Sequence, residues 1–203
     1  MPLHPLQCRC GALRGHVDTA RAMTRAVCYC RDCQAFARAL HRGDDVLDAA
    51  GGTHIVATSP RGVVFTQGED RLACLSLSPQ GLLRWHTTCC RTPIGNTPRQ
   101  AAFSYVGLVH SVLQGPGAPP LEASFGPVRL VLNTGSAIGP LPAHARAQGR
   151  AGAFARLAGA VAWSRLGGGW KTNPFFDTAT GAPVRAPRVL TRDERAAASA
   201  PAP

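Results

Sequence analysis

The chain has 203 residues, with 22 basic against 11 acidic side chains and a formal charge of +11, a size that supports one hydrophobic core and leaves little room for a second full domain. The first five residues have neither a basic n-region nor an apolar stretch, and no later run is apolar over bilayer length, so the sequence predicts a soluble, cytoplasmic protein with no membrane partner. The charge invites a nucleic-acid partner, but the arginines are scattered, only Lys171 joins them and no aromatic residues interleave with them, so a solvated basic surface is the simpler reading.

In chain order, Cys8-Arg9-Cys10-Gly11 forms a corner, and residues 12–17 read as a strand leaving it. Twenty residues after Cys8 comes Cys28-Tyr29-Cys30-Arg31-Asp32-Cys33. Residues 31–41 then have helical spacing, with Ala35, Phe36, Ala39 and Leu40 on one face. The thiols thus sit at a loop-to-helix junction, where the helix N-terminus favours thiolates. Residues 54–58, 62–66, 71–77 and 82–86 alternate in β fashion and are separated by turn formers, predicting an antiparallel meander. Further strands are expected at 104–109 and 128–132, with a loop at 115–120. Residues 143–163 are Ala-rich and helical in spacing, with a break expected near Gly149 or Gly152. Asn173-Pro174-Phe175-Phe176-Asp177 reads as an irregular arm pinned by its two Phe residues, either docked or serving as a lid. The last residues, 192–203, are expected to fray.

Eight cysteines without a secretory signal point to metal or thiol chemistry rather than to disulfides. Cys-x-Cys pairs bridge each other poorly, whereas both sulfurs reach one tetrahedral zinc at about 2.3 Å. Cys8 and Cys10 can pair with a second corner in Trp85-His86-Thr87-Thr88-Cys89-Cys90-Arg91, either through Cys89 and Cys90 or through His86 and Cys89. Cys28, Cys30 and Cys33 remain as a three-ligand set. Three protein ligands and an open fourth position form the catalytic pattern for zinc. The competing reading is one structural zinc with spare thiols. Cys74, in an alternating strand, is a small buried hydrophobe. His4, His16, His41, His54, His110 and His144 lack a partner at ligand spacing and are assigned structural or surface roles, and Asp44, Asp45 and Asp48 form a solvated acidic turn.

These motifs resemble the glutathione-dependent formaldehyde-activating enzymes, which share a domain with centromere protein V. That family has C-x-C-G near its start, C-x-C-x-x-C about twenty residues later, and a C-x-x-C-G corner after a meander. The resemblance spans roughly residues 6–97 of this chain. The third motif departs from the pattern: registering on Thr92-Pro93 puts Thr87 in place of the first thiol, and Cys89 then supplies the missing sulfur. The chain divides into a zinc-binding core over 1–100, strands, helices and an arm packed on it over 101–191, and a flexible tail over 192–203, the C-terminal helical extension being read from the residues themselves. For the core, the resemblance implies a mainly β, α+β fold, a β-tent of antiparallel sheets with zinc-stapled loops. It also implies one structural zinc, a second, catalytic zinc on Cys28, Cys30 and Cys33, and glutathione as co-substrate. The expected activity is that of a carbon-sulfur lyase such as S-(hydroxymethyl)glutathione formation, with Arg31, Arg9 and Arg91 placed beside the ligands to receive carboxylates. The alternative is a non-catalytic, zinc-stapled binding module for an acidic protein or nucleic acid, and a third reading is a scaffold whose second site serves redox or metal storage.

Overall fold

A computed structural model describes residues 2–142 and 150–200. The fold is mixed α+β and mostly strand, in two sheets. The smaller sheet pairs β1 (Leu3–Gln7) with β2 (Arg14–Asp18) and β2 with β5 (Val63–Gln67), all antiparallel. The larger contains β3 (Ala22–Cys28), β4 (Thr53–Thr58), β6 (Leu72–Ser76), β7 (Leu83–Thr87), β8 (Pro93–Thr97), β9 (Val106–Val109), β10 (Val128–Leu132) and β11 (Arg188–Val189), in the order β10-β3-β4-β9-β8-β7-β6-β11. Its interior pairings are antiparallel, while the two edge strands β10 and β11 pair parallel to β3 and β6.

The expected meander is therefore divided. β6 to β9 form one, but β5 leaves the large sheet and crosses to β2. Gly15 makes this crossing possible, because a β-carbon there would stand only 2.0 Å from the Val64 carbonyl oxygen. Residues beyond 100 complete the large sheet: β9 lies between β4 and β8, and β10 caps the β3 edge.

Between the sheets lies the main core, with Leu6, Leu13, Val17, Leu83, Trp85, Ile94 and Leu108 all essentially inaccessible. Phe175 and Phe176 enter this same core. The Phe175 ring centroid lies 5.2 Å from Trp85 and 5.7 Å from Phe65, so the arm docks as a packing element and is not a lid over the Cys28 cluster.

The described residues hold five α-helices: α1 (Arg31–Ala39), α2 (Gly43–Val46), α3 (Leu121–Phe125), α4 (Arg150–Leu166) and α5 (Arg192–Ser199). The stretch expected to fray is ordered as α5. Thr191 accepts from the Glu194 amide, and the Glu194 carboxylate accepts from the Thr191 amide, a reciprocal capping box. Ala198 is then buried against Ala35, Leu40 and Leu75. Helix α4 runs unbroken through Gly152; residues 143–149, with His144 and Gly149, and residues 201–203 lie outside the described residues. Among the described residues no helix is long and apolar enough to cross a membrane.

Candidate metal centres

The first centre is built by two turns. At the β1–β2 corner the Gly11 amide donates to the Cys8 carbonyl at 2.9 Å, and Gly11 takes φ +75, which glycine tolerates without a β-carbon clash. The chain then folds back so that the Leu13 amide donates to Cys8 Sγ at 3.2 Å. At the β7–β8 corner the Arg91 amide donates to the Thr87 carbonyl at 3.1 Å, with Arg91 itself left-handed at φ 54. The corners are joined by the Arg9 amide donating to Thr92 Oγ1 at 3.0 Å.

Together the turns gather Cys8, Cys10, Cys89 and Cys90. Their sulfurs stand 3.6 Å (Cys8–Cys10), 3.9 Å (Cys8–Cys89), 3.3 Å (Cys10–Cys89) and 3.8 Å (Cys89–Cys90) apart. A tetrahedral zinc with sulfurs at about 2.3 Å has sulfur–sulfur edges of about 3.8 Å, and a disulfide requires about 2.05 Å. The donor set fits a closed four-sulfur metal site. Thr87, in the register position of a thiol, is instead a partner of Cys90: its hydroxyl lies 3.4 Å from Cys90 Sγ, and Thr92 Oγ1 lies 3.1 Å from the same atom. Burial pushes the Cys90 thiol up, but hydrogen bonds from Thr87, Thr92 and Cys10 outweigh it and bring it down to about 5. His86 is not in the cluster. It lines a cavity with Arg38, Arg91 and Arg188, where burial and the Arg188 charge lower its pKa and its Nδ1 is buried without a hydrogen-bond partner.

The second centre lies where β3 runs into α1. Cys28 ends the strand, Cys30 is the N-cap of α1, and Cys33 sits in its first turn. The Cys33 amide donates to Cys30 Sγ at 3.3 Å, and the three sulfurs all lie within 4.8 Å of one another. Cys28 and Cys33 are buried against Ile55. The fourth polar neighbour is Asn133, just after β10, whose Nδ2 donates to Cys28 Sγ at 3.3 Å. No spacing in the sequence marks Asn133. Parallel pairing of β10 with β3, with Leu132 opposite Cys28, brings it there, and its left-handed backbone at φ 55 is one that Asn tolerates. Hydrogen bonds from Cys30 and Cys33, with help from Asn133, hold the Cys28 thiol far below its ordinary value, while Cys30 and Cys33 are raised chiefly by sharing protons with Cys28.

The other residues singled out by sequence are dispersed. Arg9 pairs with Asp45 at 3.7 Å, Arg91 borders the His86 cavity, and Arg31 is exposed at the start of α1. The three do not converge on the triad. Asp45 also pairs with Arg42 at 2.7 Å. Asp48 caps its own turn, accepting from the Ala50 and Gly52 amides at 2.8 Å. His4 is wholly buried and doubly bonded, to Ser124 Oγ and the Leu113 carbonyl, each at 2.8 Å. Burial pushes the Cys74 thiol up to about 12, leaving it a neutral core residue.

Comparison with curated proteins finds no match. Among solved structures, a crystal structure of a Rhodobacter sphaeroides protein is similar with a TM-score of 0.40 and 16% identity, covering 64% of this chain and 99% of that one. Residues 2–185 match the family of unknown function DUF6151, and the chain belongs to that family.

Proposed function

From membership of a family without an assigned function, we propose that the chain is a metal-dependent enzyme of the carbon-sulfur lyase type that binds and activates a small thiol at Cys28, Cys30 and Cys33. The observation that carries this reading is the contrast between the two sulfur groups: one offers four ligands, the other three, with Asn133 donating a hydrogen bond to Cys28. The resemblance of the cysteine motifs to the glutathione-dependent formaldehyde-activating enzymes supports the same assignment and names glutathione as the thiol and formaldehyde as the electrophile.

Zinc bound by the three thiolates would supply a Lewis acid that favours ionisation of a fourth, substrate thiol. The protein's own part is to hold the ligands in place. The N-terminal turn of α1 presents the Cys33 amide to Cys30, and Asn133 directs a hydrogen bond at Cys28. In the overall reaction the thiol sulfur bonds to the carbonyl carbon, and the thiol proton ends on the carbonyl oxygen. Cys8, Cys10, Cys89 and Cys90 would hold a structural ion that ties the two corners together.

Elemental analysis of purified protein with thiol-adduct formation followed by NMR tests the reading. Two metal equivalents are expected, with Cys30→Ser losing one equivalent and the adduct. Adduct formation that survives Cys30→Ser rejects it, and affinity for an acidic partner that falls steeply with salt and ignores small thiols assigns the chain to the binding-module class.

A further inference from the structure

Helix α4 is apolar, yet little of it is buried: Phe154, Trp163 and Leu166 are 59%, 78% and 82% exposed. It is held at its C-terminal end, where Ser164 Oγ bonds Ser59 Oγ at 2.8 Å and Ser104 Oγ at 2.6 Å. Between α4 and the stretch from Pro98 to Tyr105 runs a groove of about 450 Å³, within the range of small-molecule sites. Phe154, Leu157 and Val161 form one wall, Pro98, Phe103 and Tyr105 the other, and Arg165 is the single charged residue lining it among the described residues.

Tyr105 connects this groove to the thiols. Its hydroxyl lies over Gly107, two residues further along the same stretch of chain, 2.7 Å from the point where a β-carbon would stand, and Ile55 Cγ2 on the neighbouring strand β4 lies 2.9 Å from that same point. Ile55 in turn packs on Cys28 and Cys33. Gly107 is what lets the phenol lie there. The Tyr105 hydroxyl is pushed up first by burial and then by the charges of Cys33 and Cys28, in keeping with this proximity. The arginines that would suit the two carboxylates of glutathione are elsewhere: Arg9 is paired with Asp45, Arg91 borders another cavity, and neither they nor Arg31 line the groove.

Resting on the reading of the triad as a thiol-binding centre, we infer that its substrate is a thiol with an apolar arm, the sulfur meeting Cys28, Cys30 and Cys33 and the arm passing Tyr105 into the groove beneath α4. A chain or ring of hydrocarbon there replaces water on a wall that offers almost no hydrogen-bonding partner.

The test uses the full chain loaded with cobalt(II), whose sulfur-to-metal absorption reports thiol binding, titrated with 2-mercaptoethanol, 1-propanethiol, 1-hexanethiol and glutathione. Affinity should rise about fourfold per added methylene, and 1-hexanethiol should bind at least about tenfold more tightly than glutathione. Leu157→Ser and Val161→Ser should flatten the series while leaving 2-mercaptoethanol unchanged. As a readout that needs no metal, 1-hexanol should displace a naphthalene dye from the groove of the wild type but not of Leu157→Ser. A flat series, or glutathione binding more tightly than 1-hexanethiol, overturns the inference while leaving the thiol centre standing. If no thiol of any length perturbs the spectrum, the thiol centre falls and the inference with it. A dimer in sedimentation that Leu157→Ser converts to monomer assigns the groove to a second copy of the chain and overturns it as well.

Discussion

Cys10 Sγ stands 3.3 Å from Cys89 Sγ across 79 positions of sequence. Cys10 belongs to the corner of the small sheet and Cys89 to the β7–β8 corner of the large one, so an ion bound between them joins the two layers at one end of the main core. Both residues are exposed, whereas Cys8 is buried in the main core and Cys90 packs against it.

Removing the metal should accordingly loosen the two sheets from each other. Cys89→Ser should lose one metal equivalent and lower Tm by roughly 10 °C or more, since a structural site carries several kcal/mol and a chain of this size shifts about 2–4 °C per kcal/mol. His86→Ala should keep full stoichiometry, because His86 faces the arginine-lined cavity instead. Elemental analysis and thermal unfolding with and without chelator measure both. Loss of the metal equivalent in His86→Ala but not in Cys89→Ser would reverse the ligand assignment.

Asn133 should matter only to the other centre. Asn133→Gly keeps the left-handed backbone at φ 55 permissible while deleting the hydrogen bond to Cys28. Outer partners of metal ligands are worth about 10–100-fold in affinity, so the triad should release metal to a competing chelator at a concentration lower by that factor. The four-cysteine centre should be unaffected. Equal weakening of both centres would show that the change acts through global stability.

The elements that were legible in the sequence are those with local signals. Strands at 53–58, 63–67, 72–76, 83–87 and 128–132 and the helix from Arg31 all carry alternation or helical spacing within their own span. β8 was hidden because Pro93 and Gly95 lower β propensity, though its burial between β7 and β9 compensates. The C-terminal helix α5 has few apolar residues of its own, and its order comes from the Thr191–Glu194 cap and from packing against α1. At the sites, cysteine spacing announced the sulfurs. Of the partners that orient them, Thr87 and Thr92 are local to Cys90 in the β7–β8 corner, whereas Asn133 arrives through the pairing of β10 with β3, which local spacing does not encode.

His110 sets an acid limit to stability. Its Nδ1 donates to the His54 carbonyl at 3.3 Å, its ring meets His54 edge-on at 5.6 Å, and Arg25 and Asp48 share its cavity. Burial, then the charges of His54 and Arg25, lower its pKa to about 4, against the opposing effects of the His54 carbonyl and Asp48. The unfolded chain takes up this proton near pH 6.5 and the folded one does not. Stability from this group is therefore complete above about pH 6.5 and is lost as pH falls toward 4, by on the order of 2 kcal/mol. His110→Gln, compared with wild type at matched metal content, should show a shallower fall in urea midpoint over that window. Parallel curves would remove His110 as the cause.

The C-terminal arm gives the sharpest separation of packing from local turn chemistry. Phe175 is completely buried, edge-on to Phe65 and tilted against Trp85, whose indole donates to Thr97 Oγ1 at 2.9 Å. Two residues further on, exposed Asp177 only organises its own turn, accepting from the Ala179 and Thr180 amides. Truncating Phe175 to Ala removes a full aromatic volume from a site framed by two rigid rings, so it should cost about 3–5 kcal/mol. Asp177→Ala deletes bonds that water can replace and should cost less than about 1 kcal/mol. Neither residue is among the sulfur ligands, so both variants should retain the wild-type metal content in native buffer. Urea unfolding and elemental analysis on the two proteins test the pair. A Phe175→Ala protein of near wild-type stability would mean that the arm lies on the core without contributing to it, and loss of metal from the triad in that variant would restore a role for the arm over the Cys28 cluster.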